Sequence, residues 1–117
     1  EKFEAYLKRG GPVLGLRTTT HAFNGIKGKY AYHNFNNRGE DFVGGFGRQV
    51  LGETWNPKLG AGHYGSNHKF ATAMHVVPEQ VKHPVMSGVK DMHAMAGAYS
   101  ARPMPNSTIL ATNRVYK

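Results

Sequence analysis

The sequence predicts an α/β domain with a mainly parallel sheet, and three observations carry that prediction. An amphipathic helical stretch ends at paired glycines, a short apolar run bounded by turn residues follows, and a polar cluster closes the run. Helix, glycines, buried strand and polar turn in that order make half of a β-α-β unit, from which parallel sheets are built.

Phe3, Tyr6 and Leu7 fall at helical spacing and Gly10-Gly11 stops them, so the first segment reads as the last turns of a helix. Pro12-Val13-Leu14-Gly15-Leu16 has the pattern of a strand buried on both faces, ending at Arg17-Thr18-Thr19-Thr20-His21. Ligands of parallel sheets bind beyond the carboxyl ends of the strands, which makes Arg17 to His21 the expected site. Asn24 to Gly39 reads as a long surface loop rich in Gly, Asn and aromatic residues. Glu40-Asp41 favour a helix start, continued by Phe42, Phe46 and Val50 at spacing four and weakened by Gly44, Gly45 and Gly47. Leu59 to Lys69 is a second loop, Phe70 to Val77 a strand, His83-Pro84-Val85-Met86 a turn, and Ser107 to Thr112 a last strand.

With 117 residues of which 39% are apolar, the chain holds at most one modest core, and residues 1–117 read as part of a single domain. It opens inside a helix without Met and stops shortly after a strand-like run, so the sheet is expected to be incomplete at both ends, with unpaired edges that favour homo-oligomers or aggregates. The formal charge is +8, yet the basic residues are scattered singly, as on a solvated surface rather than a nucleic-acid footprint. Lys27-Gly28-Lys29-Tyr30-Ala31-Tyr32 resembles an RNA-recognition strand only faintly and lacks a partner strand. The absence of cysteine excludes disulfides, thiolate zinc sites and thiol nucleophiles within these residues. No apolar run reaches the roughly 18 residues of a membrane span, and the compartment, cytoplasmic or periplasmic, stays open.

Three blocks carry a family resemblance. Gly15-Leu16-Arg17-Thr18-Thr19-Thr20-His21-Ala22-Phe23 is followed by Phe46-Gly47-Arg48-Gln49-Val50-Leu51-Gly52 with Trp55 and Gly62-His63-Tyr64-Gly65, and then by His83-Pro84-Val85-Met86-Ser87-Gly88-Val89-Lys90-Asp91. In this order they resemble the ThuA-like (trehalose utilisation) family, with Tyr64 where the family has a second histidine. The resemblance covers roughly Pro12 to Asp91 and implies a flavodoxin-like fold of the class I glutamine amidotransferase type. In those relatives the turn after the first strand presents a catalytic cysteine on a strained elbow. Here Arg17 or a neighbouring threonine holds that place, and a guanidinium cannot attack an acyl carbon, so glutaminase chemistry is rejected.

The expected chemistry is acid/base work on a sugar. His21 is the first candidate for proton transfer and His63 the second, because imidazole changes charge near neutral pH. Arg17 would polarise a carbonyl or orient an anion, Thr18, Thr19 and Asn24 would bind hydroxyls, and Trp55 and Tyr64 would stack on a sugar ring. No cofactor is expected; an open zinc site of His21, His63 and His68 is the alternative, since the seven histidines lack the spacing of a closed one. Gly60 to Gly65 matches the dinucleotide fingerprint literally but follows no strand. The resemblance points to carbohydrate catabolism, an isomerase-like reaction on a glucoside or keto-glucoside, with a sugar dehydrogenase as partner. A non-catalytic carbohydrate-binding module is the second reading and a basic nucleic-acid binder the third.

Overall fold

A computed structural model describes residues 1–56, 58, 62–63 and 71–115, with the side chains of 62, 63 and 115 left aside. The chain divides into two compact units, Glu1–Ala61 with Ala101–Pro105, and Gly62–Ser100 with Asn106–Lys117.

The first unit is built on aromatic rings. Helix α1, Lys2–Lys8, carries an i,i+4 pair between Glu4 and Lys8 at 2.8 Å and stops at Gly10, whose φ is 76°. Its Phe3 meets Phe46 and Phe23, with ring centroids 5.8 and 6.5 Å away. Phe46 lies in the short helix α2, Gly45–Val50, and is 3% exposed. Phe23 approaches it edge to face at 5.2 Å. His33 ends a 3-10 helix, Gly28–His33, and is buried against Tyr32, Phe23 and Phe42 at 4.2, 5.2 and 5.2 Å. Phe23 and Phe42 have φ of 63° and 55°, a left-handed backbone that costs about 1–2 kcal/mol per residue and is here offset by ring packing.

Two expectations need correction in this unit. Residues 12–16 form no strand: Leu14 and Leu16 are 85% and 70% exposed, and no described strand pairs with the segment. An apolar run becomes a buried strand only where neighbours complete its hydrogen bonds on both sides. The helix expected from Glu40 begins instead at Gly45, because Phe42 at positive φ cannot belong to a right-handed helix. The expected loop 24–39 is partly regular, containing the 3-10 helix Gly28–His33.

The second unit is strand-rich. Strand β1, Gly62–His63, pairs with β4, Tyr99–Ser100, while β2, Thr72–Val76, lies between β3, Met92–Ala94, and β5, Ala111–Val115. Every pairing is antiparallel, so the chain mixes helix and strand as expected but the parallel sheet does not form. A parallel neighbour needs a long crossover, usually a helix; between β2 and β3 there are only the 3-10 turns Pro78–Gln80 and Pro84–Met86, and the chain doubles back. His83 caps the second turn by accepting a hydrogen bond from Val85 N at Nδ1, 3.2 Å. The strand expected over 70–77 is found at Thr72–Val76, whereas the one expected over 107–112 is displaced to Ala111–Val115 and shares only Ala111 and Thr112 with the expectation. Thr72, buried, donates to the carbonyl of Ala96 at 2.7 Å, and Met86 and Ala98 are the buried apolar residues here.

The buried imidazole of His33 makes stability depend on pH. Desolvation holds its pKa below the ordinary 6.5, opposed by the carboxylate of Glu4, and its Nδ1 has no hydrogen-bond partner. A depressed histidine binds protons more readily unfolded than folded, so its share of stability is present above about pH 6.5 and is lost as pH falls through the lowered value. Urea midpoints measured at about pH 7.5 and 5.5 should fall further for the natural chain than for His33→Phe. Equal falls would assign the acid sensitivity to other groups.

Candidate functional site

The expected site begins with a backbone feature. Leu16 is extended at φ −107° and ψ 127°, and Arg17 then turns the chain at φ 45° into the 3-10 helix Arg17–His21. A left-handed arginine is uncommon and costs on the order of 1–3 kcal/mol. Thr19 holds the turn: its Oγ1 accepts from Leu16 N at 2.9 Å and donates to Leu16 O at 2.7 Å. The one hydroxyl proton of Thr19 is thereby committed, leaving Thr18 and Arg17, both exposed, as the outward-facing polar groups.

His21, half-buried, closes the turn with Nδ1 3.1 Å from the carbonyl of Thr18. A carbonyl only accepts, so Nδ1 carries a proton, and in the neutral ring Nε2 then carries the lone pair, the arrangement of a general base. The imidazole lies 4.4 Å from the indole of Trp55, centroid to centroid, and meets Phe35 edge-on at 5.8 Å. Trp55 N donates to Thr20 O at 3.4 Å, which ties the tryptophan segment to the histidine turn by backbone as well as ring.

Gly47 permits that approach. A Cβ there would stand 2.6 Å from the carbonyl oxygen of Glu53 and 2.8 Å from that of Thr20, both backbone atoms that cannot swing aside. The Gly47 carbonyl in turn accepts from Leu51 N and Glu53 N at 3.0 and 3.1 Å. Glu53 fixes the neighbouring chain: its carboxylate accepts from Thr54 N and Arg102 N and lies 3.7 Å from Arg48 Nη1, which itself donates to the carbonyl of Arg102. Thr54 is fully buried, its Oγ1 donating to Phe35 O at 3.2 Å.

Of the residues expected at the site, Arg17, Thr18, Thr19, His21 and Trp55 are brought together. Asn24 is exposed beyond the turn, and no described contact joins it to His21 or Trp55. His63 has a described backbone, paired with Tyr99 in the second unit; its side chain, Tyr64 and His68 lie outside what is described, and the zinc triad with them. Among the described residues no group of three His, Asp or Glu is gathered to hold a metal ion, and no helix is long and apolar enough to cross a membrane. Gly47 and Glu53 are participants whose part at the site sequence reasoning missed; Glu53, five residues after Arg48 and two before Trp55, gave the one available signal. A cavity of about 150 Å³ under α1, lined by Phe3, Phe23, Ile26, Tyr30 and His33 with Glu1 and Glu4, includes none of the expected site residues.

Comparison of the chain with family models, curated proteins and solved structures returned no match.

Trp55 is the single tryptophan, so its emission reports the pairing. Gly47→Ala should lower stability by about 1–3 kcal/mol, the range for overpacking, and shift that emission to longer wavelength as the indole leaves His21. A destabilised variant with unchanged emission would show that Gly47 supports α2 without positioning Trp55.

Proposed function

We propose that the turn Arg17–His21 and Trp55 form a sugar-binding surface, and that the chain acts on a glucoside or keto-glucoside in the manner expected of a ThuA-like protein. The observation that carries this reading is the anchored imidazole: Nδ1 of His21 is held by Thr18 O, so Nε2 is left as a base beside an indole and two exposed polar side chains. In an isomerase-like step that base takes a proton from the carbon next to a carbonyl and returns it to the adjacent carbon through an enediol. Arg17 supplies charge and paired donors to the carbonyl oxygen as negative charge develops there. Thr18 binds a neighbouring hydroxyl, and Trp55 offers an apolar surface to the ring. A sugar dehydrogenase remains the expected partner.

The left-handed Arg17 between the extended Leu16 and the 3-10 turn is the one part of an elbow present, since residues 12–16 form no strand before it. A binding module without turnover is the second reading, favoured by Thr19, whose hydroxyl proton serves the turn and not a substrate.

Calorimetric titration with a panel of glucosides and 3-keto-glucosides, with and without zinc, tests the proposal. Binding is expected to persist in His21→Asn while turnover of a keto-glucoside falls by about 10²–10⁴, the range for a lost general base. Binding without turnover in the natural chain would select the module, and no binding to any sugar would remove the proposal.

A further inference from the structure

The three-stranded sheet of the second unit has two unlike faces. Residues directly opposite in an antiparallel pair project to the same side, and alternate residues of one strand do likewise. Thr72, Met74 and Val76 therefore share one face with Met92 and Ala94, which stand opposite Met74 and Thr72. From β5 the exposed Asn113 stands opposite Met74, so that face is apolar apart from Asn113 and Thr72, the latter with its hydroxyl satisfied by Ala96. The other face carries His93, Ala73 and Arg114 in one row across the three strands, with His75 and Thr112 side by side in the next. His75, His93, Thr112 and Arg114 are all exposed, and not one of the outward residues is a large apolar group.

The row through Ala73 has the geometry of an anion cradle. Strands lie about 4.8 Å apart, so the backbones under His93 and Arg114 stand about 10 Å from one another with only a methyl group between them. Two long donor-bearing side chains that flank a small residue can close over a group seated on it, and His75 and Thr112 reach the same space from the adjacent row. The guanidinium of Arg114 presents paired donors suited to a tetrahedral oxyanion and disfavours a cation. The charged groups nearest along the chain are Lys69 before β2, Glu79 and Lys82 after it, Lys90 and Asp91 before β3, and Lys117 after β5.

We propose that this outward face binds a single phosphate group, free or as the monoester of a small molecule, over Ala73 between His93, His75 and Arg114. The site belongs to the second unit, and its residues are none of those of the sugar surface proposed for the first.

Inorganic phosphate, added to the chain at constant ionic strength with chloride as control, should give saturable shifts of the amide resonances of β2, β3 and β5. Arg114→Gln should weaken binding roughly tenfold, the worth of one charge-assisted hydrogen bond. Ala73→Glu, which places a carboxylate in the cradle, should abolish it. Should Ala73→Glu fail to fold, Arg114→Gln alters only an exposed side chain and still decides the matter. Equal responses to phosphate and chloride, shifts confined to other residues, or affinity unchanged in Arg114→Gln would each overturn the proposal. Retention on vesicles containing phosphatidic acid without any response to inorganic phosphate would overturn it too, by identifying a lipid surface as the partner.

Discussion

Much of the first unit depends on a side chain that is missing. Gly47 lets the carbonyl oxygens of Thr20 and Glu53 approach the same point of α2, and no other residue type leaves room there. Three segments distant in sequence meet at that point: the histidine turn, the helix and the tryptophan loop. The ring contact between His21 and Trp55, the hydrogen bond from Trp55 N to Thr20 O and the buried Thr54 all follow from it. The ion pair of Glu53 with Arg48, both ends mostly buried, then secures the loop from its other side. Removing either partner would leave a charge with few alternatives, which is why such a pair resists substitution more than it adds to stability.

The aromatic cluster places a second demand on the same unit. Phe3, Phe23, Phe42, Phe46, Tyr32 and His33 supply much of its interior, and two of the phenylalanines accept a left-handed backbone to reach their places. Rings contribute large buried areas with few rotatable bonds, so a small unit can hold together without long helices. His33 is the polar member of that set, and its imidazole is stable there only while uncharged.

What the sequence made legible is local. Helix α1 follows from the spacing of Phe3, Tyr6 and Leu7 and the glycines after them; β2 and β5 lie close to the apolar runs that announce them. The turn at Arg17–His21 was legible as a place where polar residues gather after an extended segment, and it is where the candidate base is found. The error lay in sheet direction. Pro12–Leu16 has the composition of a buried strand, but composition does not supply neighbours, and direction is decided by what connects two strands rather than by the strands themselves. The roles of Gly47 and Glu53 were invisible for a related reason: Gly47 makes room for Thr20 and Glu53 accepts from Arg102, and no local period encodes such a meeting. The alternation of Ala73 and His75 with Thr72, Met74 and Val76 was readable, though what the outward residues face across the sheet required the register.

That same alternation sets how the second unit can change length. Adding or losing one residue between strands shifts a loop, at a modest cost in closure entropy. Adding or losing one inside β2 rotates every side chain beyond the change to the opposite side of the sheet, bringing His75 inward and Met74 or Val76 out to water. Insertions and deletions in this part of the chain are thus tolerated or ruinous according to whether they fall in 77–91 or within Thr72–Val76, although both classes alter the same number of atoms.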